Sequence, residues 1–541
     1  MFQRYIAMLR LEFTGYRGKF VKDLMAGLTV TAVALPLALA FGVSSGADAG
    51  AGLITAIIAG LFMSLLAGGF YQISGPTGAM AAILVSIVAQ YGMQGVFIAT
   101  LFAGVLLLLA GIFHLGKLTS FIPAPVITGF TSGIAVIIAL GQVDNFFGVS
   151  SEGASAVEKL ISYVRLGFHP HWVSMGIGLF VVLFMVFYPK KWNRVVPGSL
   201  VGIVLATAAS VLFRFDTAMV GEIPQTLIPQ IHLNLWEVDW GRAVGLISPA
   251  ISIAMLGMIE SLLCGASAGK MTGVPMDSDQ ELIAQGVGNI LIPFFGGIPA
   301  TAAIARTSVA VKSGAQTRMA GIFHAVGLLI SMFLLAPVMS KIPLAALAGV
   351  LMVTAWRMND WEAIRYMFSH KFKGAVLKFT VTMLATILFD LTVAILIGVL
   401  VSLVLLVSRL SKLEINYEKA DMSRLRGAEE ALCQRYRNTM VAYITGPIIF
   451  ANTDAVKKIS ASLDGCDTLV LSMRGVSLID ISGAQGLMEV LDKLKEQQVD
   501  VVVCGLPDSA LTMMKRSGIY DTLGSENFYW SAEAALLDLR P

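Results

Sequence analysis

The sequence predicts a polytopic α-helical membrane protein of about 14 spans, arranged as a 7+7 inverted repeat and followed by a small α/β domain. Three observations carry the prediction. Only 13% of the residues are charged and 56% are hydrophobic, with a mean hydropathy of +0.78; a soluble chain carries about 25% charge. Apolar runs of about 18 residues or more recur as far as residue 410, and a run of that length crosses the hydrocarbon of a bilayer. Two motifs also recur at nearly one spacing. Ile122-Pro123 with Gly129 returns 220 residues on as Ile342-Pro343 with Gly349. Ser74-Gly75-Pro76-Thr77-Gly78-Ala79 returns as Gly297-Ile298-Pro299-Ala300-Thr301-Ala302, with the prolines 223 apart. An odd number of spans per half gives the two copies opposite topology.

The chain opens with a basic, amphipathic stretch, residues 1–22, in which Arg4, Arg10, Arg17, Lys19 and Lys22 alternate with Phe2, Leu9, Leu11 and Phe13. It reads as a helix lying in the cytoplasmic interface, or as a mobile basic lead-in. No small-residue cleavage site follows, so the first apolar run is a retained span. The transmembrane domain is expected over 23–410, with repeats at about 23–213 and 244–410. Spans fall near 24–43, 50–68, 76–90, 95–113, 122–141, 172–188, 196–213, 244–268, 281–294, 300–313, 317–338, 343–356, 375–389 and 391–409. The third, ninth, tenth and twelfth are too short to cross alone as straight helices. With the N-terminus inside, the inner loops hold Lys117, Lys190, Lys191, Arg194, Lys312, Arg318, Arg357, Arg365, Lys371 and Lys373. The outer loops hold Asp144, Glu152, Glu158, Asp216, Glu222, Glu237 and Asp239. That asymmetry obeys the positive-inside rule, and an even span count returns residue 410 to the cytoplasm.

The chemistry concentrates where the apolar pattern breaks. Helices starting near Pro76 and Pro299 at mid-membrane leave N–H groups unsatisfied and carry about half a positive charge each. Pro76, Thr77, Gly78 and Ala79 on one side, and Ala300, Thr301, Ala302 and Ala303 on the other, are small enough for an anion to reach the backbone. Arg306 adds a full charge. The alternative is two packed proline kinks, with Arg306 turned to the interface. Glu260, deep in the eighth span, is expensive in lipid and so is a functional candidate. It binds a coupling cation or proton, or it pairs with Arg306 and holds the bundle. His324 is a weaker proton-handling candidate and reads as a satisfied structural histidine. Paired Pro-interrupted segments of this kind mark the binding site of secondary transporters.

Other classes are excluded. A net charge of +3 gives no case for nucleic acid. Cys264, Cys433, Cys466 and Cys504 have no metal spacing, and His169 with His171 is too little for a metal site. No cofactor loop, nucleophile–base pair or ATP-binding loop is visible, so the chain is not read as an enzyme and its energy would come from ion gradients.

After residue 410 the composition turns polar. Residues 411–437 form a charged linker, and 438–541 a soluble domain. Strands are expected at Met440–Ile444, Thr468–Met473 and Val499–Cys504, with helices from Thr453 or Asp454 to Leu463, Gly483–Gln497 and Ser509–Ser517. This alternation predicts a partly parallel sheet.

These residues resemble a known family. Ser74-Gly75-Pro76, Ile259-Glu260-Ser261-Leu262, Ala303-Ile304-Ala305-Arg306-Thr307 and Ser313-Gly314-Ala315-Gln316-Thr317-Arg318 are similar to motifs of the sulfate permease (SulP), or solute carrier family 26, anion transporters. Leu478-Ile479-Asp480-Ile481-Ser482-Gly483 resembles the strand-to-helix turn of a STAS domain. The resemblance implies a core domain rocking against a gate domain, with the anion between half-helices 3 and 10. It implies a homodimer in the bacterial inner membrane, in contact with lipid, with both termini cytoplasmic. Met255–Cys264 and Phe294–Arg306 look most like the bacterial C4-dicarboxylate branch, which implies succinate or fumarate, or else sulfate, with proton symport. The sodium-coupled bicarbonate branch carries a shorter carboxylate and a hydroxyl one turn on; Glu260, Cys264 and Ile304 depart from that pattern. Bicarbonate or sulfate transport or exchange with sodium or chloride coupling, and an anion channel or sensor, are the alternatives. Asp480 and Ser482 are the regulatory positions of the STAS resemblance. Ser482 is either a phosphorylation site or a helix N-cap, and the domain has a possible cytoplasmic protein partner.

Overall fold

The computed structural model describes residues 2–117, 122–153, 156–189, 191–192, 196–236, 240–389, 391–420, 438–461 and 465–538. Lys190, Arg194, Glu237, Asp239, Cys433 and the linker beyond residue 420 lie outside them, as do the side chains of Phe2 and Arg4. The chain divides into two compact units, Met1–Val399 and Leu400–Pro541.

Every apolar segment expected to span is helical over most of its length. After α1 (Phe2–Phe13) come α2 (Phe20–Ser44), α3 (Ala49–Leu66), α4 (Gly78–Ile112), α5 (Ala124–Gly141), α6 (Trp172–Phe187) and α7 (Gly198–Leu212). The second half holds α8 (Ile247–Thr272), α9 (Ser278–Leu291), α10 (Ile304–Lys312), α11 (Met319–Met339), α12 (Leu344–Met358), α13 (Trp361–Ser369), α14 (Lys373–Leu388) and α15 (Leu391–Leu410). Among the described residues, seven helical stretches are long and apolar enough to cross a membrane, and α6, α7 and α12 are shorter apolar helices. The third and fourth expected spans run together as α4, but Gly92 breaks the helix with φ 65 and ψ −170, a conformation open to glycine. The repeat shows in matching starts: α5 and α12 both begin after an N-cap proline, Pro123 and Pro343.

The helices pack in two groups. One contains α2, α3, α4, α8, α9, α10 and α11; the other α5, α6, α7, α12 and α14. Contacts of α2 with α12 and of α4 with α5 join them. The apolar core runs through both groups.

The N-terminal segment is more than an interfacial helix. Glu12 is buried in an ion pair with Arg318, 2.7 Å between Oε2 and Nε, and also accepts the Arg318 backbone N–H. Arg318 donates onward to the Leu65 carbonyl, which the Tyr5 hydroxyl reaches too. Buried Asp23 accepts from the backbone of Gln316 and Thr317 and from the Thr317 hydroxyl. Helix α1 is therefore tied to the loop between α10 and α11.

In the second unit, β3 (Glu414–Lys419), β4 (Thr439–Thr445), β5 (Thr468–Gly475), β6 (Asp500–Cys504) and β7 (Phe528–Tyr529) form one sheet in chain order. All pairs are parallel except β3 with β4. The expected linker thus supplies an edge strand. Helices α16 (Thr453–Lys457), α17 (Ile481–Glu496) and α18 (Asp508–Arg516) follow the strands, and α19 (Ala532–Asp538) closes the chain. Apolar clusters fill both faces of the sheet, with α17 over one and α19 over the other. Two caps differ from expectation. Asn452, not Thr453 or Asp454, precedes α16. Asp480, not Ser482, caps α17: its Oδ1 accepts from Gly483 N–H at 2.7 Å and its Oδ2 from Phe450 N–H at 2.9 Å. The second bond, from Phe450, fixes the cap at Asp480 and leaves Ser482 in the first turn, partly exposed.

Candidate functional site

Two short extended segments meet inside the first helix group. β1 (Ser74–Gly75) pairs antiparallel with β2 (Thr301–Ala302), Gly75 opposite Thr301. Each leads into a helix. Thr77 has extended dihedrals and caps α4, and Ala303 precedes α10. The amides of Gly78 and Ala79, and of Ile304 and Ala305, occupy first turns and have no backbone partner among the described residues. Four N–H groups and two helix starts therefore converge near one crossing.

The second helix starts later than the proline predicts. Pro299 is followed by extended backbone, and α10 begins at Ile304. The physical reason is that other elements hold this backbone extended. Ile298 N–H donates to Thr55 Oγ1 at 2.7 Å. Ala300 donates to Asn289 Oδ1 at 2.9 Å and accepts from Asn289 Nδ2 at 3.0 Å. Ala302 N–H donates to Ser261 Oγ, and Ala303 N–H to the Ile73 carbonyl. The amides of Ala300, Ala302 and Ala303 are thus committed to protein, and the first-turn role expected of them falls to Ile304 and Ala305. Gly78 still has a use for its size: a Cβ there would overlap the Ile138 side chain.

Glu260 stands between the two segments. Its Oε2 accepts from the Thr77 hydroxyl at 2.9 Å and from the Thr301 hydroxyl at 2.6 Å. It makes no ion pair with Arg306. That arginine is 1% exposed; its Nη2 donates to the Pro76 carbonyl at 3.1 Å, and its Nη1 is buried without a hydrogen-bond partner. The guanidinium lies against Gly75, where a Cβ would fall 2.6 Å from Nη1. Glycine at 75 is what lets the charge in. Pro76, Thr77, Thr301, Glu260 and Arg306 are therefore brought together, and Arg306 does not turn to the interface. Buried His324 departs from a satisfied histidine: Nδ1 lies 3.5 Å from Thr31 Oγ1, and Nε2 has no partner.

Three residues of α9 carry the site and escaped the sequence reading. Glu281, Gln285 and Asn289 are all buried and lie one turn apart on one face. Gln285 Nε2 donates to Ser74 Oγ at 2.9 Å and to Glu281 Oε1 at 2.8 Å. Glu281 Oε2 accepts from Gly68 N–H. The i, i+4, i+8 spacing of polar residues in an apolar segment was the available signal.

Comparison with known proteins agrees with this architecture. The profile of the Sulfate permease family matches residues 20–385, and that of the STAS domain residues 431–535. YvdB of Bacillus subtilis is 34% identical over 96% of this chain and 98% of its own length. The bicarbonate transporter BicA of Picosynechococcus is 30% identical over 97% of this chain and 95% of its own. The solved structure of SLC26A9 superposes with a TM-score of 0.80, covering 96% of this chain and 90% of that one at 19% identity, which speaks to the fold. The chain belongs to the sulfate permease family, whose members are anion transporters, and carries the family's STAS domain at its C-terminal end.

Proposed function

We propose that the protein is a secondary active transporter of a small dianion, a C4-dicarboxylate such as succinate or fumarate or else sulfate, by proton-coupled symport. One observation carries this reading: a single carboxylate oxygen of Glu260 accepts hydrogen bonds from the hydroxyls of both Thr77 and Thr301, at the crossing where two helix starts present free amides. An ionised Glu260 repels an incoming anion and competes for its donors. A proton on Glu260 removes the charge and weakens its hold on both hydroxyls, so that an anion can take them over. Anion and proton then bind together, which is the thermodynamic content of symport. Two pairs of amides suit an anion with two charged ends, and the unpartnered Nη1 of Arg306 supplies a compensating charge.

Transport follows by rocking of the α2–α4 and α8–α11 group against the α5–α7, α12 and α14 group, in a homodimer of the bacterial inner membrane with both termini cytoplasmic. The similarity to BicA, a bicarbonate transporter by name, favours bicarbonate as the second reading. Uptake of labelled succinate, sulfate and bicarbonate into proteoliposomes, with and without a pH gradient, separates them. Accumulation of succinate driven by an inward proton gradient is expected. Accumulation of bicarbonate alone, driven by sodium and indifferent to pH, would overturn the proposal.

A further inference from the structure

Helix α13, with the turn after it, is a short amphipathic element between α12 and α14. Met367 packs inward. The outer side presents large aromatic residues to the surroundings: Trp361, Tyr366, Phe368 and Phe372 are all exposed, as is Trp356 just before it. They are organised. The Trp356 and Trp361 rings lie 4.4 Å apart, Trp361 Nε1 donates to the Trp356 carbonyl, and Tyr366 stacks near His370 and Phe372. A cleft of about 380 Å³ on this side is lined by Trp361, Glu362, Arg365, Tyr366 and Ser369.

Charge completes the pattern. Arg365, Lys371 and Lys373 have no ion pair among the described residues, whereas Arg357 is spent on the Met185 carbonyl. Asp360 is engaged as the N-cap of α13, which leaves Glu362 as the one acidic side chain in the cleft. Lys371 sits at φ 53, a backbone position that usually goes to glycine.

We propose that α13 and its following turn bind an anionic phospholipid headgroup. Exposed Trp and Tyr belong at the headgroup level of a bilayer. An in-plane amphipathic helix with unpaired cations beside them complements a phosphate that is fixed at that depth. A zwitterionic headgroup offers no net charge to these cations, and a soluble anion makes no use of the aromatic side. The inference requires only that α12 and α14 lie in the membrane, and so stands apart from the substrate and the coupling ion.

The test uses the full-length protein in nanodiscs of phosphatidylcholine with a minor fraction of phosphatidylglycerol. Mass spectrometry of the retained lipids reads the enrichment, and inorganic phosphate or phosphatidylglycerol, each added to protein in zwitterionic detergent and read by thermal shift, is the control. The wild-type protein enriches phosphatidylglycerol, and R365Q/K371Q/K373Q brings the ratio back to that of the bulk lipid. Each cation near an anionic headgroup contributes about fivefold, so three lost together cost on the order of a hundredfold in preference. R365Q alone gives a partial loss and serves if the triple variant fails to fold. Undiminished enrichment in both variants overturns the proposal. So does a thermal shift with millimolar phosphate that matches the shift with phosphatidylglycerol.

Discussion

Replacing Glu260 by Gln separates charge from geometry. The Oε2 atom accepts two hydroxyl hydrogen bonds, and an amide oxygen can accept the same two, so the crossing of β1 and β2 is expected to survive. Only the charge is lost. An anion that accepts hydrogen bonds from Thr77 and Thr301 in place of Oε2 lies roughly 4–5 Å from that atom, because each hydroxyl oxygen stays about one hydrogen-bond length from both. Two unit charges at that separation repel by about 3–4 kcal/mol at an effective dielectric constant of 20. The ionised and neutral forms of Glu260 should therefore differ in anion affinity by two to three powers of ten. The sign is fixed by linkage: if the proton favours the anion, acid tightens binding, and the Gln variant binds at every pH as the protonated wild type does. Calorimetric titration of succinate and sulfate between pH 5 and 8 reads this directly. Uptake by Glu260→Gln should persist and no longer respond to a pH gradient. The reasoning fails if the variant keeps the wild-type pH dependence. It fails equally if the variant's affinity drops at all pH values and wild-type affinity depends on sodium, for then the carboxylate holds a cation.

Arg306→Ala removes the buried Nη1 and leaves the Pro76 carbonyl bare, so anion affinity should fall while the helices persist; unchanged affinity in thermal-shift titrations places Arg306 outside the site. Glu12→Ala strands the buried Arg318, which costs about 3–5 kcal/mol, and melting in detergent should drop clearly; an unchanged melt shows that the latch of α1 contributes nothing. Asn289→Leu leaves both polar groups of Ala300 unbonded, at about 1–3 kcal/mol each. It should weaken anion binding as well as stability, and a change in stability alone would make Asn289 merely structural. Burial raises the thiol pKa of Cys466 and of Cys504, so both carry less thiolate than a free cysteine at pH 8. Mapped alkylation of the folded protein should find them slow, and rapid labelling of either would contradict its packing.

Much of this architecture was readable because apolar length and proline position are local signals. Pro123 and Pro343 cap equivalent helices, and Pro76 and Pro299 flank equivalent breaks. What could not be read depends on contacts between distant residues. The start of α10 slipped from Pro299 to Ile304 because Thr55 and Ile73, both remote in sequence, and Asn289, on the preceding helix, hold this backbone extended. Nothing local singles out Glu12 in its basic amphipathic stretch, because its partner lies 306 residues away. The cap of α17 was misplaced by two residues because Ser482 and Asp480 are both good caps, and only the bond to Phe450 N–H decides between them. The polar face of α9 was a local signal that the apolar reading of that segment overrode.

The repeat explains the backbone of the site but not its charge. Each half supplies an extended pair, a threonine hydroxyl and a helix start, so the β1–β2 crossing has approximate two-fold character. The ionisable groups break that symmetry. At the spacing of the two prolines, the first-half counterpart of Arg306 is Ile83, and the counterparts of Glu260 at the two repeat spacings are Leu37 and Ala40. The second half alone carries both the guanidinium and the carboxylate. They reach the same crossing from different helices and touch different atoms, Arg306 the Pro76 carbonyl and Glu260 the two hydroxyls. Because they do not pair, neither neutralises the other at contact distance. The guanidinium charge is thus left without a carboxylate partner, and the carboxylate without a cation in contact. Under the proposed mechanism, an ion pair between them would have held the bundle together at the cost of both roles.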